Sequence, residues 1–159
     1  MKRRTPQSAD DWFHRAVQYL ARVDRTAAQV ERFLASKGAS PADVSLVISR
    51  LSALHYLDDR AYAVRWLETT LVRRPMAREQ LKTELTAKGL PESLVDETIL
   101  EGLEGMDDEA LARRVLTLKG RDGGHLSLQR TVLLLRRRGF GEETIERIIS
   151  DCSRKERSS

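Results

Sequence analysis

The chain has one cysteine, Cys152, in 159 residues, which excludes an internal disulfide. That thiol falls on an apolar stripe, so a small packed side chain is expected there and not a reactive one. Aromatics make up only 5% of the residues, and after Trp66 only Phe140 remains, so the C-terminal third must pack on aliphatic side chains. No apolar run is long enough for a membrane span or a secretory leader, which points to a cytoplasmic protein without membrane partners. Signs of catalysis are also missing. His14, His55 and His125 are scattered without metal-ligand spacing to Cys152, and the glycines of Lys119 to His125 lack the lysine and hydroxyl order of a phosphate loop. The expectation is a protein with no catalytic residue, no metal and no cofactor.

What the sequence does contain is a threefold repeat. Ser36-Lys37-Gly38, Ala87-Lys88-Gly89 and Arg137-Arg138-Gly139 place glycines 51 and 50 residues apart. In register with them stand Leu34, Leu85 and Leu135, then Val44, Val95 and Ile145, then Ile48, Ile99 and Ile149. Upstream, Ala16-Val17-Gln18-Tyr19-Leu20 answers Ala63-Val64-Arg65-Trp66-Leu67 and Ala112-Arg113-Arg114-Val115-Leu116. Leu57-Asp58-Asp59 returns as Met106-Asp107-Asp108. A period of this length makes the chain a tandem array of like modules, whose function belongs to a repeated surface and not to one pocket.

Each module reads as three helices. Apolar residues recur at three- and four-residue steps, as in Phe13, Ala16, Val17 and Leu20, or Ile145, Ile148, Ile149 and Cys152. The repeated glycines suit helix ends, Thr26 with Gln29 forms a capping box, Ser127 is an N-cap, and Ser40-Pro41 is a cap followed by proline at the first helical position. Val132 to Leu135 has a strand-like composition, but its place in the repeat assigns it to a helix. The fold class expected is all-α, an elongated array of three three-helix modules over 11–57, 58–106 and 107–152, between flexible tails at 1–10 and 153–159. Units of about 50 residues are near the lower limit for a self-sufficient core, so neighbours must lean on each other.

Charge is uneven: +2 over 1–59, −3 over 60–108 and +5 over 109–159. Arg73, Arg74, Arg78 and Lys82 cluster in the acidic middle module, and Arg74, Arg78 and Lys82 share a helical face if that helix starts early enough. Glu101, Glu104, Asp107, Asp108 and Glu109 gather at its far end. A basic surface beside an acidic patch suits a protein that meets a polyanion and a protein together. The candidates for the polyanion-binding surface are Arg73, Arg74, Arg78, Lys82, Lys119, Arg121, Arg130, Arg136, Arg137 and Arg138. Arginines at a helix end also stabilise the macrodipole without any ligand. The aspartate pairs, recurring at helix starts, are explained by N-capping better than by metal or acid–base work. Tyr56, Leu57, Tyr62 and Trp66 are expected to pack the junction of the first two modules.

The residues from Ala53 to Ala63 (Ala-Leu-His-Tyr-Leu-Asp-Asp-Arg-Ala-Tyr-Ala), the run from Arg78 to Gly89 and the closing Leu135-Arg-Arg-Arg-Gly-Phe140 resemble the bacterial RecX family of regulatory proteins. The likeness covers about Ala16 to Asp151. It departs at His55, where the family usually has glycine, and in the glycine-containing loop at 120–124. The resemblance implies a monomer that binds RecA, the recombinase, and its filaments on single-stranded DNA, with direct DNA contact as a further expectation. It implies suppression of the filament's ATPase, strand exchange and support of repressor cleavage. The alternatives are a helix-turn-helix DNA-binding regulator and a helical-repeat adaptor for proteins.

Overall fold

The computed structural model describes residues 8–122 and 126–157, and among them every regular element is helical. Residues 1–7 of the expected N-terminal tail, 158–159 of the C-terminal one and part of the 120–124 loop lie outside the described residues, whereas Ala9 and Asp10, placed in that tail, are helical. The helices are α1 Ala9–Arg22, α2 Ala27–Ser36, α3 Pro41–Ala53, α4 Asp59–Arg73, α5 Arg78–Ala87, α6 Glu92–Gly102, α7 Asp108–Arg121, α8 Leu128–Arg137 and α9 Glu142–Arg157. They form an elongated array of three triads, with the main helix-to-helix packing inside each triad. The strand-like run at Val132 lies within α8, and α9 continues past Cys152 to Arg157.

Local signals account for the helix ends. Thr26 and Gln29 form the capping box of α2, Ser40 caps α3 with Pro41 at its first position, and Ser127 caps α8. A further box, Ser8 with Asp11, opens α1. Gly38, Gly89 and Gly139 follow α2, α5 and α8 with φ of 99°, 82° and 81°, the left-handed region that glycine enters without a Cβ penalty.

The aspartate pairs do more than cap their own helices. Asp58 accepts from the Ala61 amide and so caps α4, while Asp59 Oδ1 accepts from the Ala27 amide, 2.9 Å away at the start of α2 in the preceding module. Asp107 caps α7 through the Ala110 amide, and Asp108 Oδ1 accepts from the Arg78 amide of α5 at 2.9 Å. Each second aspartate thus satisfies an exposed helix donor across a module boundary, an interaction of about 1 kcal/mol. The glycine corners press on the same helix starts. A Cβ added to Gly89 would lie 2.4 Å from Ala28 Cβ, and one added to Gly139 would lie 2.9 Å from Gln80 Cβ. At Gly38, in the first module, the Cβ position is open.

The two junctions differ in polarity. At the first junction the second module meets Asp24-Arg25-Thr26, the segment between α1 and α2. There Thr26 Oγ1 donates to the Lys88 carbonyl at 2.6 Å and Arg65 pairs with Asp24 at 2.7 Å. The matching segment, which joins α4 to α5 and meets the third module, is Pro75-Met76-Ala77, with Met76 and Ala77 each 1% exposed. Its Ala77 amide donates to the Arg138 carbonyl at 2.9 Å. The apolar segment merges the cores of the second and third modules into one continuous cluster, from Tyr62 to Ile148. The first module keeps its own around Trp12, Val30, Leu34, Val47 and Leu51. The late aromatic Phe140 is buried in the merged core, and Cys152 is half-buried against it.

The four aromatic-stretch residues expected at the first junction are divided between the two cores. Leu57 belongs to the first and Tyr62 to the second. Trp66 lies beneath the Lys88 ammonium, and Tyr56 is 53% exposed, with an edge contact to Phe13. His55, which stands where glycine is usual in the resembled family, is left-handed at φ 60°.

Two stability measurements follow. Gly89→Ala should lower the thermal midpoint more than Gly38→Ala, because both carry the left-handed cost of about 1–2 kcal/mol but only Gly89 also collides with Ala28. Equal losses would mean that the corner contact contributes nothing. His55→Gly should stabilise the fold by about 1 kcal/mol by removing that same backbone strain, as read by denaturant unfolding.

Candidate functional site

The ten basic residues marked in the sequence separate into three groups. Four are matched by carboxylates: Arg74 with Glu84 at 2.8 Å, Lys82 with Asp96 at 2.6 Å, Lys119 with Asp122 at 3.8 Å and Arg136 with Glu142 at 2.7 Å. Two are tied to backbone at the junction of the second and third modules. Arg78 Nη2 donates to the Met106 carbonyl at 3.2 Å, and Arg138 Nη1 donates to the Pro75 carbonyl at 3.0 Å. Burial, reinforced by repulsion from Arg74, lowers the pKa of Arg138. The remaining four, Arg73, Arg121, Arg130 and Arg137, are exposed and make no ion pair among the described residues.

The single helical face expected for Arg74, Arg78 and Lys82 does not form. Pro75 disfavours helical geometry at the residue before it, so Arg74 ends α4 at φ −149° and α5 begins only at Arg78. Arg74 reaches α5 instead through its side chain, by the pair with Glu84.

A cationic groove that the charge count did not isolate lies on the first module. Arg15, Gln18, Tyr19, Arg22, Phe33 and Lys37 line a hollow of about 390 Å³. Tyr19 and Phe33 stack at 4.0 Å between centroids, with the Arg25 guanidinium over the Tyr19 ring and the Lys37 ammonium over the Phe33 ring. The rings are thereby engaged with each other and with cations, so the groove presents positive charge more than a free stacking platform. The helical offsets Arg15, Tyr19, Arg22 and Phe33, Lys37 were the available signal in the sequence.

Carboxylates are likewise divided. Arg113 bridges Glu109 and Asp151, and Arg60 pairs with Glu97. Glu68, Glu101 and Glu104 are exposed and make no salt bridge among the described residues. Beside them, α4 and α6 enclose a hollow of about 270 Å³ floored by Leu67 and Leu71. Among the described residues no three His, Cys, Asp or Glu side chains are placed to hold a metal ion, and no helix is long and apolar enough to cross a membrane.

No family model matches the chain. The regulatory protein RecX of Chlorobaculum tepidum is 29% identical over 84% of this chain and 83% of its own length. That of Treponema pallidum is 31% identical over 136 residues, 85% of this chain and 81% of its own length. The chain belongs to the RecX family. RecX of Geobacillus thermodenitrificans, 25% identical, is longer, and the chain spans 54% of it. The crystal structure of RecX from Lactobacillus salivarius shares the fold, with a TM-score of 0.68 over 90% of this chain and 95% of that one at 21% identity.

The surface ion pairs of this RecX chain set its acid response. Hydrogen bonds from Arg60, Arg136 and Arg113 hold Glu97, Glu142 and Asp151 below the ordinary carboxylate range, and the Ser8 backbone amide does the same for Asp11. A carboxylate with a lowered folded pKa stabilises the fold above its unfolded pKa, and that contribution is lost as the pH falls through the folded one. The thermal midpoint should therefore be insensitive to these four groups at neutral pH and decline below about pH 4. Arg113→Ala with Arg136→Ala should make the acid decline shallower, as followed by circular dichroism across pH.

Proposed function

We propose that this RecX protein binds RecA filaments on single-stranded DNA and inhibits their ATPase, strand exchange and coprotease activities. It works as a cytoplasmic monomer, by binding free energy and without chemistry of its own. Family membership is the observation that carries the reading, and the tandem architecture fits it. A linear row of modules can span successive protomers of a helical polymer, and a ligand that prefers one filament state shifts the population toward that state.

The contact with DNA is assigned first to the cations that form no ion pair among the described residues: Arg73, Arg121, Arg130 and Arg137. Arg74, Lys82, Lys119 and Arg136 are secondary, since each must leave an internal carboxylate to meet a phosphate. Those pairs are solvent-exposed and worth little, so exchange of partners is inexpensive. Arg78 and Arg138 hold the junction between the second and third modules and serve the interface through that geometry.

The deciding experiment titrates this protein into the single-stranded-DNA-dependent ATPase of the cognate RecA. Inhibition far below one molecule per protomer supports action at filament ends or propagation along it, and near-stoichiometric inhibition supports occupancy along the groove. Absence of both inhibition and filament binding overturns the reading. The triple variant Arg121→Glu, Arg130→Glu, Arg137→Glu should weaken filament binding by about tenfold or more and flatten its salt dependence, with helical content unchanged. A strong preference for one duplex sequence would instead favour an operator reader.

A further inference from the structure

The repeat register exposes a difference in the middle module. Leu51, Gly102 and Cys152 each lie 13 residues after their module's repeated glycine. Leu51 is fully buried in the first core, and Cys152 packs on the merged core. Gly102 leaves that space without a side chain, and Leu67 leans toward it, so that an added Cβ would lie 2.4 Å from Leu67 Cδ2.

The residues around the gap change in the same direction. Val64, 39% exposed, stands where the third module has Arg113, which reaches across to Asp151 at 2.5 Å and bridges α7 and α9. Glu101 stands where the first module has Arg50, paired with Asp10 at 2.7 Å. The middle module has neither of these two arginines; Arg60 and Glu97 link α4 and α6 instead, and the hollow beside them stays open. It is more enclosed than the grooves of the first and third modules, with Leu67 and Leu71 below and Glu68, Glu101 and Glu104 around it. Glu104 follows the C-cap of α6 on the rim and is left-handed at φ 48°, as His55 is after α3.

The geometry points to this hollow as a docking site for a protein segment that presents one aliphatic side chain flanked by lysine or arginine. The volume of about 270 Å³ holds one such side chain, not a helix or a nucleotide. Three carboxylates that form no salt bridge among the described residues repel phosphate and complement cations on either side of the inserted residue. The cationic surfaces described above are then left to the nucleic acid, and the acidic hollow meets protein. This inference rests on the reading of the chain as a binder of a protein filament, and it names the surface that would hold the protein component.

The test uses the full chain, isotope-labelled for NMR, and a synthetic peptide of leucine flanked on each side by two lysines. Amide shifts should concentrate at Val64, Leu67, Thr98 and Gly102, and should vanish in the variant Glu68→Gln, Glu101→Gln, Glu104→Gln. In parallel, filament binding should weaken about tenfold in that variant and in Gly102→Leu, which restores the first module's side chain. The glutamine variant keeps the test decisive if Gly102→Leu fails to fold, because all three glutamates are exposed. Shifts elsewhere, or equal peptide and filament binding by wild type and the glutamine variant, overturn the inference. If the wild type binds no filament at all, the proposed function fails, while the peptide titration still decides the hollow.

Discussion

The array depends on how the first amides of α2 and α5 are satisfied. Both helices start at a module boundary, where donors have no partner inside the helix. The next module supplies the partner, Asp59 to Ala27 and Asp108 to Arg78, while its glycine corner packs on the same turn. A hydrogen bond, a left-handed glycine and a van der Waals contact therefore fix the spacing and orientation of neighbours together. Units of about 50 residues, each short of a full core, become one structure through these contacts.

The two boundaries use the same device with different surroundings. A polar segment at the first leaves two separate cores joined by hydrogen bonds and an exposed ion pair. An apolar segment at the second merges the cores, so that the last six helices share one interior. Hydrogen bonds to water compete with the polar contacts in a way that they do not compete with buried Met76. The first module is thus the one whose placement a partner can alter at least cost, and it also carries its own cationic groove.

Function is left to what the framework does not consume. Of the marked basic residues, most are already engaged by a carboxylate or a carbonyl, and the four unpaired ones stand out only when those partners are known. The same subtraction applied to the acidic residues isolates the rim of the α4–α6 hollow. Binding by such leftover charge needs no cofactor and no reactive group.

The sequence by itself determined the helices, their caps and the threefold register, because those follow from residues within four positions of one another and from a period visible by alignment. It also determined the family, through residues such as Tyr56 to Ala63 that stand together in one stretch. Tertiary structure alone decided that Asp59 and Asp108 cap a neighbour's helix, that Arg74 is separated from α5 by Pro75, and that Tyr56 faces solvent. It alone decided which cations are neutralised, since Arg74 and Glu84, or Arg113 and Asp151, meet across helix pairs. Helical periodicity fixes which face of one helix a residue occupies. What lies opposite that face depends on contacts between segments tens of residues apart, and no local pattern encodes it.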